Sequence, residues 1–162
     1  MTSKDRLIVV HPYNPPHIMP LIEIVPTPLT TPDVVERTVK YWESIGRAPV
    51  VIKKEVTGFV ANRLALALLR EAIYLVDQGV VTVEELDTVV ESSMGPRWAK
   101  AGPFKSYNAG GGAGGFEGLM KNIGGTIQAC WDDSGKINFG DGWEDAIYAE
   151  TKRAYGDMNT KN

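Results

Sequence analysis

The sequence offers very little material for a disulfide or a metal cluster. Its 162 residues include a single cysteine, Cys130, and only two histidines. One cysteine excludes an internal disulfide and any cysteine-based metal cluster, and such sparse use of cysteine is typical of a reducing compartment. We therefore expect no metal site and a cytoplasmic location.

The sequence also lacks a large excess of charge of either sign and any long apolar run. The chain has 17 basic and 20 acidic residues, a formal net charge of -3, and no run of basic residues. A nucleic acid or an anionic membrane is thus poorly supported as a partner. No segment approaches the roughly 20 consecutive apolar residues that span a bilayer, and the first apolar run is too short for a secretion signal. The composition favours a small-molecule substrate, with no nucleic acid and no membrane.

Short apolar runs bounded by prolines indicate that the first part of the chain is a small α/β layer. Residues 7–10 and 20–26 read as short buried strands that end in loops. Thr31 and Pro32 have the residue types of a helix N-cap and first helical position, and Gly46 ends that helix. With a further apolar run from Ala48, residues 1–55 predict strand, strand, helix and strand, the tail end of an α/β layer.

From about residue 56 onward the pattern becomes helical. The stretch GFVANRLALALLREAIYLVDQG carries an apolar stripe too broad for a surface helix, which predicts the central helix of a bundle. Thr82 and Glu85 have the spacing of a capping box, and DGWEDAIYAETKRAYG predicts a terminal helix. We expect a mainly α fold, in which residues 56–162 form a C-terminal helical bundle. The apolar helix also predicts a homodimer, because one small bundle cannot cover all of its faces.

Gly110, Gly112 and Gly115 have the G-x-G-x-x-G spacing of a dinucleotide-binding loop. Such a loop binds pyrophosphate because a buried strand leads into a tight turn and the following helix presents free N–H groups. Here no apolar strand precedes the glycines, and no acidic residue follows at the end of a second strand. The spacing therefore predicts a turn-dense connection and no cofactor site.

His11 is the most informative candidate for chemistry, because it ends the first strand and is followed by prolines that fix a turn. Asn14 and Glu23 are close to it in sequence. A carboxylate that orients a histidine makes it an effective general base, and Glu23 is the candidate carboxylate. The alternative is that His11 caps a loop while Glu23 faces solvent on an edge strand. His17 reads as a loop residue.

Two further polar residues have both a structural and a functional interpretation. Asn62 stands at the start of an otherwise apolar helix, where its amide can satisfy the first turn or bind a substrate oxygen. Arg97 lies in a turn-rich stretch, MGPRWAKAGPF, and can either bind a carboxylate bidentately or remain an ordinary surface arginine.

The segments HPYNPPHIMPLIEIVP, GFVANRLALALLREAIYLVDQG and MGPRWAKAGPF, with GGGAGGF after them, resemble the C-terminal portion of the 3-hydroxyacyl-CoA dehydrogenase superfamily. The likeness is to the branch that holds L-gulonate 3-dehydrogenase, lambda-crystallin and carnitine dehydrogenase, and it runs from about Leu7 to about Trp131. The resemblance implies a helical C-terminal domain preceded by the end of a dinucleotide-binding domain.

The same resemblance assigns roles to residues. It implies that His11 is the catalytic histidine and Glu23 its paired carboxylate, with Asn14 in the same turn and Asn62 on the substrate side. Together with Arg97, these asparagines are our candidate substrate-binding residues. The resemblance also places the glycine loop outside the cofactor site.

The chain departs from this family in starting near the last strands of the NAD-binding domain, so we expect that domain to be lacking. NAD is the cofactor of the parent family, and we expect none to bind this chain alone. Three functions stay open. The chain is part of a 3-hydroxy-acid dehydrogenase whose NAD-binding half is missing, a cofactor-free enzyme working by acid–base catalysis, or a non-catalytic module that dimerises or binds a ligand.

Overall fold

A computed structural model of the protein describes residues 3–156. The chain divides into two compact units within one helix: unit 1 ends at Ala67 and unit 2 begins at Leu68. Unit 1 begins with a short 3-10 helix, Lys4–Arg6. It then contains, in chain order, β1 (Ile8–Pro12), β2 (Leu21–Pro26), α1 (Pro32–Ser44) and β3 (Ala48–Val51). The predicted order of strand, strand, helix and strand is confirmed.

The strands of unit 1 form one sheet in the order β1-β2-β3. β1 pairs antiparallel with β2, and β2 pairs parallel with β3. Because β2 is the central strand, four consecutive residues of it, Ile22 to Val25, are buried. Val34 from α1 and Ile52 after β3 complete the buried apolar set of this unit.

Helix α1 begins and ends close to the predicted residues. Pro32 is its first residue, where the missing N–H costs nothing because that N–H has no partner within the helix. The Thr31 side chain caps no backbone N–H group; its hydroxyl donates to the Asp33 carboxylate at 2.5 Å. The chain leaves the helix after Ser44, and Gly46 adopts a φ of 75°.

The remaining elements are helices, so the prediction of a mainly α chain with a small α/β part before it is confirmed. They are α2 (Ala61–Asp77), α3 (Val83–Ser92), α4 (Met94–Lys100), α5 (Pro103–Gly110), a short 3-10 helix (Gly112–Gly114), α6 (Gly115–Asp133) and α7 (Glu144–Tyr155). No helix among residues 3–156 is long and apolar enough to cross a membrane.

Side-chain hydrogen bonds fix the ends of helices in unit 2. The capping box at the start of α3 is present, with Thr82 and Glu85 bonded reciprocally. The Glu150 carboxylate on α7 accepts the Val83 N–H group at 2.9 Å, which ties α7 to the first turn of α3. Trp143, just before α7, is 6% exposed and donates its indole N–H to the Asn138 carbonyl.

Two sequence-based expectations about the helices are wrong. The stretch around Arg97, which we expected to be turn-rich, forms α4, because Pro96 falls in the first turn of this helix, where proline is tolerated. Helix α2 is not a buried bundle helix, since none of its residues is buried and Leu64 and Leu66 are 63% and 59% exposed. Residues 64–70 of this helix are exposed, whereas residues 71–76 are half-buried.

The glycine-rich segment connects two helices and has no strand before it. It runs from the end of α5 through a 3-10 turn into α6, and Gly112 and Gly115 adopt φ values of 54° and 56°. A Cβ atom at Gly111 would lie 1.7 Å from the Gly115 carbonyl oxygen. The Asn108 side chain accepts the Phe116 N–H group at 2.9 Å, at the start of α6. Close backbone approach therefore explains Gly111, and positive φ values explain Gly112 and Gly115.

We predict that Gly111→Ala destabilises the protein by about 1 to 3 kcal/mol, because the new Cβ forces the backbone of α6 to move. Gly110→Ala is the matched control, since a Cβ there meets nothing within 4 Å and alanine favours a helix. Urea unfolding of both variants measures the effect. Equal stability of the two would contradict this account of the segment.

Candidate active site

The antiparallel pairing of β1 with β2 places His11 directly opposite Glu23. Cross-strand partners extend their side chains from the same face of a sheet, so the two meet without help from any loop. The His11 Nδ1 atom lies 3.0 Å from the Glu23 Oε2 atom. The Glu23 side chain is 2% exposed and that of His11 is 33% exposed, so the carboxylate is buried beneath a ring that solvent reaches.

The second carboxylate oxygen of Glu23 holds the start of α2. Its Oε1 atom accepts the backbone N–H groups of Val60 and Ala61, both at 2.9 Å. The first N–H groups of a helix have no partner within it, and Val60, which precedes α2, has no side-chain oxygen to serve as a cap. A carboxylate from β2 supplies that acceptor, and its negative charge also suits the helix N-terminus.

The ionisation of Glu23 is set by opposing effects. Burial raises the pKa of this carboxyl, but the hydrogen bonds from Ala61, Val60 and His11 outweigh burial and leave the pKa below its ordinary value. Glu23 is therefore a carboxylate in the folded protein at neutral pH. Since a carboxylate can only accept hydrogen bonds, the Nδ1 atom of His11 must carry the proton of this bond.

This arrangement leaves the Nε2 atom of neutral His11 with a lone pair. A histidine in that tautomer can take a proton at Nε2, and the carboxylate at Nδ1 then stabilises the imidazolium. The Phe59 ring packs edge-on against the imidazole, with the ring centroids 5.2 Å apart. The pair can thus act as a general base and, once protonated, as a general acid.

The structure places the other candidate residues as follows. Asn14 is exposed in the turn after β1, at a cis peptide bond to Pro15. Asn62 is half-buried in the first turn of α2, directly after Ala61, and its amide forms no hydrogen bond with residues 3–156. Arg97 is exposed on α4 in unit 2. The structure thus brings His11 and Glu23 together with the start of α2, while the substrate-binding roles of Asn14, Asn62 and Arg97 stay predictions.

Sequence reasoning missed three contributors to this site: Phe59, Val60 and Ala61. Two of them contribute only backbone N–H groups, which carry no residue-type signal. One signal was available, because α2 starts without a Ser, Thr, Asp or Asn at the position before it. A helix start that lacks such a side chain needs an acceptor from elsewhere.

Comparison with known proteins gives a consistent result over most of the chain. Residues 1–56 match the family model of the 3-hydroxyacyl-CoA dehydrogenase NAD binding domain, and residues 58–135 match that of the 3-hydroxyacyl-CoA dehydrogenase C-terminal domain. The chain belongs to the 3-hydroxyacyl-CoA dehydrogenase family. The expectation that the NAD-binding domain is lacking is wrong, because the first match shows that this domain is present in part.

Individual relatives agree with this family. An L-carnitine dehydrogenase of Oceanobacillus iheyensis is 42% identical over 131 residues, which are 81% of this chain and 43% of that protein. A 3-hydroxyacyl-CoA dehydrogenase of Gibberella moniliformis is 41% identical over 139 residues, which are 85% of this chain and 43% of the relative. The chain thus spans less than half the length of these relatives.

A solved structure extends the likeness to nearly the whole chain. It is that of 5-formyl-3-hydroxy-2-methylpyridine 4-carboxylic acid 5-dehydrogenase, described as an NAD+ dependent dismutase. The TM-score is 0.77 at 32% identity, and the match covers 98% of this chain and 48% of that one. The glycine-rich segment of this 3-hydroxyacyl-CoA dehydrogenase family member falls within the C-terminal domain match, outside the part matched to NAD binding.

We predict that Glu23→Gln lowers the free energy of unfolding by about 1 to 2 kcal/mol at pH 7, because hydrogen bonds to a charged acceptor are stronger than those to an amide. The pKa of Glu23 is lowered in the folded state, so its contribution is fully present above the ordinary value of 4.5 and is lost as the pH falls through the folded value. The gap between the two proteins should therefore close in acid.

Urea unfolding of both proteins between neutral and acidic pH measures this gap. Glu36→Gln is the matched control, because Glu36 on α1 also has a lowered pKa but is exposed and paired only with Lys40. We expect little change in that variant. A gap for Glu23→Gln that is independent of pH would show that the charge of Glu23 does not stabilise the fold.

Proposed function

We propose that this chain supplies the acid–base and substrate-binding part of an NAD-dependent dehydrogenase that acts on a 3-hydroxy acid or its CoA ester. The observation that carries this proposal is the His11–Glu23 hydrogen bond, which leaves the Nε2 atom of His11 as a proton acceptor. The family and the names of the relatives support the substrate class.

In the proposed reaction, His11 takes the hydroxyl proton of the substrate at Nε2 while the carbon–hydrogen bond breaks and the alcohol becomes a ketone. Glu23 stabilises the imidazolium through the proton at Nδ1. When bound, the nicotinamide cofactor of this family would supply the acceptor for the hydride that leaves this carbon. The glycine segment between α5 and α6 does not have the form of a dinucleotide loop, so we assign no cofactor contact to these residues and propose that this chain alone binds no NAD. We propose that the rest of the NAD-binding domain, of which residues 1–56 match a part, acts as a partner.

Three residues are proposed to bind the substrate. Asn62 stands in the first turn of the helix whose start is bonded to Glu23, and its amide is available for a carbonyl or hydroxyl oxygen. Asn14 lies three residues beyond His11, and Arg97 offers a planar fork for a carboxylate.

A second candidate is an enzyme that uses the His11–Glu23 pair without a cofactor, for dehydration, isomerisation or cyclisation. One observation favours it: every hydrogen bond that orients His11 and Glu23 comes from residues of unit 1. The two candidates differ in whether NAD is required for turnover. A non-catalytic module would show no turnover either with NAD or without it.

We predict that the chain joined to the part of the Oceanobacillus relative that it does not match forms NADH from NAD+ and L-carnitine or a 3-hydroxyacyl-CoA. In this fusion His11→Gln should lower turnover by about 10²- to 10⁴-fold, because the general base is lost. Absorbance of NADH measures the rate, and His17→Gln, in an exposed turn, is the matched control.

The full chain by itself separates the candidates. Our proposal expects no binding of NADH in calorimetry at micromolar concentration and no NADH formation. Turnover of a 3-hydroxy or 3-oxo acid by the chain without NAD would favour the cofactor-free enzyme. An unchanged rate of the His11→Gln fusion would contradict acid–base catalysis in either form.

We also propose that the chain forms a homodimer through α2. Leu66 and Leu69 on this helix are 59% and 51% exposed and, at three residues apart, lie on the same face of the helix. We predict a dimer at micromolar concentration by analytical ultracentrifugation and a shift to monomer in Leu66→Lys. Leu29→Lys, at an equally exposed leucine in unit 1, should not change the mass. A stable wild-type monomer would refute the proposal.

A further inference from the structure

Phe59 has an unusual backbone conformation beside the candidate active site. Its φ is 51°, and it is the only non-glycine residue between positions 3 and 156 with a positive φ. A bulky side chain in the left-handed region is strained, and such residues persist only where the surroundings enforce them. Gly58 before it also has a positive φ, of 76°, so two successive residues turn the chain into α2.

The hydrogen bonds of the neighbouring residues show what enforces this conformation. The Phe59 N–H group donates to the Val56 carbonyl at 3.0 Å. The next two N–H groups, of Val60 and Ala61, both donate to the Glu23 Oε1 atom. Phe59 is therefore fixed between a turn on one side and a buried carboxylate on the other.

The strained backbone brings the Phe59 ring onto His11. The ring centroids are 5.2 Å apart and the ring planes meet at 67°, an edge-to-face contact. The torsion that orients an imidazole is intrinsically broad, so one hydrogen bond leaves the ring free to tilt. Glu23 contacts one edge of the His11 ring and Phe59 contacts another. The His11 side chain is 33% exposed.

We propose that Phe59 is a positioning residue for His11. Its ring keeps the imidazole in the plane in which Nδ1 donates to Glu23 and Nε2 faces the substrate. This inference rests on the proposed acid–base function of the pair. The Glu23 carboxylate thus acts on His11 twice. It binds the imidazole directly, and it fixes the backbone next to Phe59, whose ring packs against the imidazole.

Edge-to-face aromatic contacts favour one arrangement by a factor of two to about ten. Without the Phe59 ring, the Nδ1 to Oε2 bond should be formed less of the time, and a neutral imidazole released from the carboxylate returns to a mixture of tautomers. The ratio of the Nδ1–H to the Nε2–H tautomer should then fall by two- to about tenfold.

The test is NMR of the imidazole nitrogens in the ¹⁵N-labelled full chain, with no cofactor or substrate added. Spectra are recorded at about pH 9, above the ordinary histidine pKa of about 6.5, so that the neutral ring is observed. The chain has only two histidines, and His17 in an exposed turn is an internal reference. Amide signals of Val60 and Ala61 report whether their bonds to Glu23 remain.

Three variants of Phe59 distinguish the effect of its ring from the effect of its backbone conformation. Phe59→Leu removes the ring and keeps an apolar side chain, and Phe59→Gly removes the ring while fitting the left-handed conformation without strain. Both should lower the tautomer ratio at His11 and leave His17 unchanged. Phe59→Tyr keeps the ring and should keep the wild-type ratio. Phe104→Leu, at an exposed phenylalanine in unit 2, controls for loss of a ring elsewhere.

Two results would overturn the inference. If wild-type His11 is the Nδ1–H tautomer and the Leu and Gly variants keep the same ratio with the Val60 and Ala61 signals in place, Phe59 does not position the ring, and the proposed function is untouched. If wild-type His11 is itself a mixture of tautomers, the His11–Glu23 pair is not formed, and the proposed function fails together with this inference.

Discussion

The Glu23 carboxylate is the contact on which the site in unit 1 depends. It lies on the central strand of the sheet, where water does not reach it, and both of its oxygens are used: Oε2 by His11 and Oε1 by Val60 and Ala61. Burying a charge is costly unless hydrogen bonds compensate for the lost hydration. Three donors from β1 and from the start of α2 provide that compensation, so the carboxylate joins a strand, a ring and a helix start.

The residue type at this position follows from the donors around it. All three groups that face the carboxylate donate hydrogen bonds, and a carboxylate is the side chain that accepts at both ends without donating. A glutamine whose oxygen remained on Val60 and Ala61 would present its NH₂ group to His11. The imidazole would then have to accept at Nδ1 and carry its proton at Nε2, which removes the base. The same position therefore sets both the helix start and the tautomer of His11.

Much of this could be predicted from sequence because local signals act over a few residues. Proline-bounded apolar runs gave β1 and β2, Pro32 marked the start of α1, and Thr82 with Glu85 marked α3. The sequence offered Glu23 as a candidate partner of His11, but the antiparallel pairing that places the two opposite each other was not predicted. The bond from Glu23 to Ala61 spans 38 residues and involves a backbone N–H, so the uncapped start of α2 indicates that an acceptor is needed but not that Glu23 provides it. Helix α6 was missed because Gly118, Gly124 and Gly125 lower helix propensity.

The groups that support His11 all come from one short part of the chain. The ring, its carboxylate, the edge-on Phe59 and the helix start lie within residues 11–61, and none of their hydrogen bonds needs a bound ligand. A base held this way is oriented before a substrate arrives, so no binding energy is spent on turning the ring. In the proposed reaction, unit 1 therefore sets proton transfer. The residues proposed to bind the substrate, such as Asn14 in its exposed turn and Asn62 in the first turn of α2, are not held by the carboxylate.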